Sequence, residues 1–242
     1  MNATATGAEQ RERRALRVLR VAGSAVLLLA AILLTIMPAE PVSENVPGFR
    51  NAVIGFELAS RPEHVLGILG RPGTPERAEA VRRMDLGNRI DFLYMIAYPA
   101  LYAGIALLLA AHGRLPRSVA TLLLCLPVVM ALGDALENRE LLVLSGVTDP
   151  GGMTGALGRL RLFTLVKWYA IYGASGIAAP FIWGERGWWR WSAVFFGAAA
   201  LLGLASIVYL PAIEHGSMAL IVAWTMTYAR AWHAPVVDRQ AP

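Results

Sequence analysis

At 242 residues the chain has the length of one or two soluble domains, but 56% of it is hydrophobic and its mean hydropathy is +0.51, more apolar surface than a water-soluble fold of this size hides. Its formal charge of +5 comes largely from Arg residues flanking apolar runs rather than from one polar face, which argues against a nucleic-acid partner. The single cysteine, Cys125, lies inside an apolar run, so an internal disulfide framework and a Cys-based metal site are both excluded.

Charged residues make up only 16% and gather between apolar runs, as in a chain that alternates between lipid and water. Residues 1–20, with Arg11, Arg13, Arg14, Arg17 and Arg20, read as a basic cytoplasmic tail. The run Val21–Met37, ended by Pro38 and Pro41, reads as a first transmembrane helix. A cleaved signal peptide is the rival reading, but the run is long and lacks a clear small-x-small cleavage site, so an uncleaved anchor is expected.

Residues 38–89 are more polar and are expected to form a small extracytoplasmic, amphipathic segment. Within it, Val53–Leu58 reads as a short strand or extended stretch, and His64–Leu69 as a short helix with Ser60 as its cap and Glu63 reaching back. A second helix start is expected at Thr74-Pro75-Glu76.

A bundle over residues 90–232 follows, with five apolar runs at Ile90–Ala111, Val119–Leu136, Leu162–Trp183, Ser192–Leu210 and Ser217–Trp232. Most approach the ~20 residues that a ~30 Å hydrocarbon core demands of a helix. The last is the shortest and follows Pro211, Glu214 and His215, so five spans is the alternative to six. The expected fold is all-α: a polytopic membrane helix bundle of about six transmembrane helices, closed by a second cytoplasmic tail over 233–242 with Arg239.

The two short basic loops, around Arg114–Arg117 and Arg186–Arg190, fall on the amino-terminal side if every run crosses, which places both termini in the cytoplasm of a cell membrane. Trp183, Trp188, Trp189 and Trp191 then form an aromatic belt at that interface. The segment 38–89, assigned outside, carries several Arg of its own, but a longer loop constrains orientation weakly.

With this topology the ionisable residues near the spans share one depth, the outer one. Asp91 opens the second span, Asp134, Glu137 and Asn138 close the third, and Lys167 lies in the first turns of the fourth. Glu214 and His215 fall in the outer connection before the last span. Asp91, Tyr94, Tyr98 and Tyr102 are spaced three, four and four apart and so form one polar-aromatic stripe, expected to face the bundle interior. Pro99, Pro127 and Pro180 interrupt three spans and free carbonyls, as happens where helices line a pocket. Ala199 with Gly203, Ala193 with Gly197, and Gly173 with Gly176 are small pairs that permit close packing.

Each of these residues also has a plainer reading. A polar side chain near a helix end meets headgroups and water, tyrosines at helical spacing pack, and Lys167 neutralises Asp134 or Asp91 in a structural ion pair. No phosphate loop, His-x-x-x-His or Cys-x-x-Cys pair or serine elbow occurs, so no cofactor or metal is called for.

The strings Gly55-Phe56-Glu57-Leu58-Ala59, Pro62-Glu63, Ile68-Leu69-Gly70, Asp91-Phe92, Gly133-Asp134-Ala135-Leu136-Glu137-Asn138 and Lys167-Trp168 resemble those of a group of uncharacterised bacterial multi-pass membrane proteins. The resemblance covers roughly residues 55–169 and implies a membrane bundle with no named activity. It falls on the residues that the depth argument selects.

Three functions compete. In the first, a lipid-like amphiphile binds or reacts at an outer-leaflet pocket. There Asp91, Asp134 and Glu137 act as acid, base or cation-stabilising groups, with Tyr94, Tyr98, Asn138 and Lys167 as binding residues. Carboxylates crowded in a low dielectric do not ionise alike, so one donates a proton while another accepts. In the second, the chain is a noncatalytic membrane partner or assembly protein held in register by a buried ion pair. In the third it is a proton-coupled transporter, for which the inner half offers little beyond Thr121, Cys125, Ser175 and Thr227. Membrane lipids are the expected partners in every case, and oligomeric state is not encoded legibly.

Overall fold

The computed structural model describes residues 7–233. The expected carboxy-terminal tail, Arg239 included, lies beyond the described residues apart from His233. The described chain contains helices and no strand: α1 (Gly7–Ile36), α2 (Ala52–Glu57), α3 (Pro62–Leu69), α4 (Pro75–Ala111), α5 (Arg117–Gly146), α6 (Pro150–Trp183), a 3-10 turn (Trp188–Trp191), α7 (Ser192–Ala205) and α8 (Ala212–His233). Three of them, α1, α4 and α5, are long and apolar enough to cross a membrane.

Six helices, α7 of 14 residues and the others of 22 to 37, pack in the order α1, α4, α5, α6, α7, α8, with α8 returning to α1. Hydrogen bonds at both ends show that α1 runs antiparallel to α4 and α8, and α4 to α5. At one end Arg83, near the start of α4, donates through Nε to the Ile36 carbonyl of α1 at 2.7 Å, and Ser145, near the end of α5, donates to Asp85 of α4 at 2.5 Å. At the other, Arg20 in the first half of α1 donates to the Ala231 carbonyl of α8 at 2.8 Å. That second end also carries the exposed Trp183, Trp188 and Trp191, with Arg190 over the rings of Trp183 and Trp191 at 5.4 Å. Trp189, expected in the same belt, points inward instead, is 1% exposed, and lies beneath Arg230.

Except for α7, which stops at Ala205 where the expected span continues to Leu210, the helices outrun their apolar runs, and the polar residues consequently sit differently from expectation. α1 already begins in the basic stretch, at Gly7. α4 starts at Pro75, where the Thr74 hydroxyl caps it by accepting from Arg77 N–H, so Asp91 lies within the helix rather than at its opening. α5 continues to Gly146 and α6 begins at Pro150, which makes Asp134, Glu137, Asn138 and Lys167 interior positions too. These extensions are tied together by polar groups that water would otherwise satisfy. Buried Arg77 donates to the carbonyls of Gly70, Ser145 and Val147, and Arg159 of α6 grips Glu140 of α5 with Nε and Nη2 at 3.1 and 2.8 Å.

The segment between α1 and α4 folds into the same end of the ring. Where the sequence favours a strand or extended stretch, α2 forms, because Asn51 caps it through Oδ1 and the Glu214 carboxylate accepts from Arg50 and Asn51 N–H at 2.9 and 3.1 Å. Phe56, Leu58, Val65, Ile68 and Leu69 are buried against the bundle. α3 forms as expected but without the Ser60 cap or the returning Glu63: its N-cap is Arg61, and the Ser60 N–H donates to His64 Nδ1 at 3.3 Å. Glu214 and His215, expected in a connection, belong to the first turns of α8.

Candidate functional site

All seven residues singled out from the sequence converge. α5 supplies three of them on successive positions of one face: Asp134, Glu137 and Asn138, respectively 2%, 1% and 2% exposed. α4 presents the stripe Asp91, Tyr94, Tyr98 and Tyr102 to the interior, and α6 inserts Lys167 between them. Gly133 makes this insertion possible, since a Cβ there would stand 3.1 Å from the Lys167 backbone nitrogen.

Lys167 Nζ is the hub. It donates to Glu137 Oε1 at 2.6 Å and lies 3.4 Å from Asp134 Oδ1. It also lies 3.2 Å from Glu57 Oε2, a carboxylate that α2 lowers into the bundle. Of the two ion-pair partners weighed for it in the sequence, Asp134 is engaged. Asp91 is not: among the described residues no Lys, Arg or His nitrogen lies within 4.0 Å of its carboxylate. Asp91 instead accepts a 2.7 Å hydrogen bond from Asn138 Nδ2. The Tyr98 hydroxyl donates to Asp134 Oδ2 at 2.9 Å, and Tyr94 and Tyr98 touch ring to ring with centroids 5.5 Å apart. Tyr102 sits apart from the carboxylates, paired with the Ser175 hydroxyl at 2.6 Å.

Glu57, Asp91, Asp134 and Lys167 border a cavity of about 190 Å³ whose remaining walls are, apart from Ser217, aromatic and apolar, among them Tyr94, Tyr98, Trp168, Trp224, Ile171 and Leu220. A second cavity of about 260 Å³ adjoins it, sharing Ile54, Glu57, Asp91, Tyr94 and Ile221, and extends along the apolar end of α1 past Ala30, Leu33 and Leu34. Either alone is smaller than a typical small-molecule site of ~300–1,000 Å³, and the two in continuity reach that range. Three carboxylates, Glu57, Asp91 and Asp134, and the Lys167 ammonium therefore line a largely apolar space, with Glu137 bonded to that ammonium. Such a set can bind a proton, a cation or a hydrogen-bond donor. Two acceptor atoms in it have no hydrogen-bond partner among the described residues, Asp134 Oδ1 and Glu137 Oε2.

Glu57, Trp168 and Trp224 are the members that composition and spacing do not select. Glu57 and Trp168 stand in the strings Gly55-Phe56-Glu57-Leu58-Ala59 and Lys167-Trp168, and the Trp168 indole N–H donates to Glu57 Oε2 at 3.1 Å. Trp224 comes from the weakest apolar run and stacks on Tyr98 at 6.0 Å. Conversely, Glu214 and His215 serve structure: Glu214 holds the start of α2, and His215 Nδ1 lies 3.3 Å from the Pro211 carbonyl. Pro99 and Pro127 line an open apolar groove on the outer surface of α4 and α5, not the polar pocket. Of the small-residue pairs, Gly203 takes the Tyr172 ring against its backbone, while nothing lies close to Gly173 or Gly197.

A second ionisable group occupies the opposite end of the ring. His112, just past α4, lies 3.0 Å from Glu185 through Nδ1 and 3.3 Å from Glu12 of α1 through Nε2, and Arg114 Nε lies 3.3 Å from Glu185. The hydrogen bond with Glu185 raises the His112 pKa, overcoming the opposing effect of burial. Burial by itself would raise Glu185, but its bond to His112 and the charges of His112, Arg114 and Arg230 hold it below the usual carboxylate value. No protein-family model matches this chain, and no curated protein or solved structure matches it either.

Proposed function

We propose that the chain is a six-span protein of the cell membrane, both termini cytoplasmic, that binds the polar end of a lipid-like amphiphile in a pocket at outer-leaflet depth. The ring of six helices, five of them 22 residues or longer and α7 of 14, supports six spans, and the Arg- and Trp-rich end of the ring supports a cytoplasmic assignment for that end. The α2–α3 segment then covers the extracytoplasmic mouth. One observation carries the functional reading: Glu57, Asp91, Asp134 and Lys167 line a cavity whose other walls are, apart from Ser217, aromatic and apolar, and which adjoins a second cavity bordered by Ala30, Leu33 and Leu34 of α1 as well as by Asn51, Asn88 and Asn138. Ionisable groups at membrane depth are costly unless they serve a site or each other.

In this reading Lys167 holds Glu57, Asp134 and Glu137 in place, Tyr98 orients Asp134, and Asn138 orients Asp91, so that Asp91 and Asp134 meet the bound molecule. If the molecule reacts, these carboxylates are the proton donor and acceptor. Native mass spectrometry of the detergent-solubilised protein tests the proposal. A bound amphiphile is expected in the wild type and is expected to be lost or reduced at least tenfold in Asp134→Asn while that variant stays monodisperse. Absence of any bound amphiphile, or unchanged occupancy in a folded Asp134→Asn, refutes it.

The noncatalytic reading has its own supporting observation, since three carboxylates within 4.0 Å of one lysine constitute a self-sufficient structural network. The double substitution Lys167→Asp with Asp134→Lys separates the two: a purely structural pair tolerates the exchange, whereas a binding pocket loses its ligand.

A further inference from the structure

The proposed pocket has chemical features that narrow what it holds, and this inference rests on that proposal. We infer that the occupant is an amphiphile with a protonated amine head, which pairs with Asp91 and enters sideways from the bilayer between the outer halves of α1 and α8.

The head is assigned from the charge arrangement. Lys167 lies within ion-pair distance of Glu57, Asp134 and Glu137, and Asp91 alone has no protein cation within 4.0 Å among the described residues. Asp91 stands at the junction of the two cavities and lines both. Beside it, Asp134 is 2% exposed, lines the first cavity, and has an Oδ1 that accepts no hydrogen bond. An anionic head would meet Glu57, Asp91 and Asp134, with the one ammonium, Lys167, already engaged by Glu57, Asp134 and Glu137, and is disfavoured by repulsion. A hydroxyl head would satisfy an acceptor but leave Asp91 without a cationic partner. A primary ammonium supplies both charge and three donors. The aromatic walls agree, because the faces of Tyr and Trp rings attract cations, and the protein already places its own Lys167 ammonium 5.2 Å from the Trp168 ring.

The route is assigned from how α1 and α8 meet. Near the cytoplasmic end they are tight: Gly23 admits the Tyr228 ring against its backbone, the Ser24 and Tyr228 hydroxyls lie 3.1 Å apart, and Arg20 reaches the Ala231 carbonyl at 2.8 Å. Toward the other end the second cavity lies between them, walled by Leu33 and Leu34 of α1 and by Ile221 of α8. Leu34 and Ile221 are also 78% and 52% exposed, so this wall faces the outside of the ring as well as the cavity. An acyl or isoprenoid chain lying there stays in contact with apolar side chains while its head reaches Asp91.

The test uses the full chain in a mild detergent, with dodecylamine, dodecanol and dodecyl phosphate titrated below their micellar concentrations and occupancy read by native mass spectrometry. Saturable binding of dodecylamine at least tenfold tighter than dodecanol is expected, with no saturable binding of dodecyl phosphate. Asp91→Asn should bring the amine down to the affinity of the alcohol. Tyr94→Leu, which strips an aromatic wall without touching an ion pair, should reduce the amine preference severalfold and serves if the first variant does not fold. Leu34→Trp and Ile221→Trp should weaken amine and alcohol alike by filling the lateral opening. Competition by phosphatidylethanolamine, and not by phosphatidylglycerol, would assign the amine to a resident lipid, whereas uncompeted binding would assign it to a free amine. Equal affinity for amine and alcohol, or amine binding indifferent to both Asp91→Asn and Tyr94→Leu, overturns the inference while leaving an amphiphile pocket standing. Failure of all three probes to bind saturably overturns both.

Discussion

Lys167→Met keeps the aliphatic stem and removes the ammonium, which makes it the sharpest perturbation of the polar core. In the wild type that ammonium lies 2.6, 3.2 and 3.4 Å from oxygens of Glu137, Glu57 and Asp134, with the lysine side chain 7% exposed. Its loss leaves three carboxylates buried without a counter-charge, and breaking a buried pair from one side costs about 3–5 kcal/mol. Against a total stability of about 5–15 kcal/mol this is a large fraction. For a chain of this size, with about 2–4 °C per kcal/mol, the thermal midpoint should fall by roughly 6–20 °C. Size-exclusion profiles of the solubilised protein after heating, recorded at one heating rate, give that midpoint. The double variant Lys167→Met/Glu137→Gln should recover part of the loss, because one of the stranded charges is gone. A midpoint for Lys167→Met within about 2 °C of wild type would refute the claim that these charges depend on one another.

Tyr98→Phe removes the hydroxyl that donates to Asp134 Oδ2 and should cost about 1–3 kcal/mol, seen as a lower midpoint, whereas a change below about 0.5 kcal/mol would mean the carboxylate has found another donor. Gly133→Leu pushes a side chain into the Lys167 backbone, 3.1 Å from where a Cβ would stand, and should cost about 1–3 kcal/mol while lowering amphiphile occupancy; unchanged occupancy would separate helix packing from the pocket. The His112 cluster gives a pH prediction. With its folded pKa raised above the ordinary 6.5, the His112 contribution is complete below that value and is lost as pH rises through the raised pKa. Glu185, held below the ordinary 4.5, contributes above that value and loses its contribution as pH falls through the lowered one. A thermal midpoint that declines on the alkaline side in wild type but not in His112→Gln is the expected result, with Glu12, Glu185 and Arg114 as the charged groups facing the ring.

The stripe Asp91, Tyr94, Tyr98 and Tyr102 was legible because helical spacing fixes which side chains share a face, and lipid penalises the alternative of facing outward. Asp134 with Asn138, and Lys167 opposite them, followed from depth once the runs were oriented. Helix ends were not legible, since the apolar run measures only the lipid-facing part. Arg77 and the Glu140–Arg159 pair lengthen the helices by satisfying polar groups that hydropathy scores as loop. Glu57 escaped for a related reason. Its helix depends on Asn51 and on Glu214, a residue far along the chain, and a contact of that range leaves no trace in local pattern. The inward turn of Trp189 is of the same kind, fixed by Arg230 from α8.

Between the carboxylate cluster and the His112 cluster at the other end the interior is mostly aromatic and aliphatic, and this bears on how the proposed pocket is used. Below Asp134 the next polar contact is Tyr102 with Ser175, and Ser175 also donates back to the Ile171 carbonyl of its own helix. Thr227 is buried but donates to its own Ala223 carbonyl, and Cys125 is exposed on the outside of the ring. Trp224, Leu101, Ile105 and Phe196 fill the space between, all buried. A proton or ion leaving Asp134 toward the Arg- and Trp-rich end therefore meets aromatic and aliphatic packing, in which the Ser175 and Thr227 hydroxyls donate to backbone carbonyls. Conduction across the whole ring would require that packing to open, at a cost set by several fully buried side chains. Binding from the side requires nothing to open, because Leu34 and Ile221 are already exposed beside the second cavity. The asymmetry favours a dead-end pocket entered from lipid over a transport path.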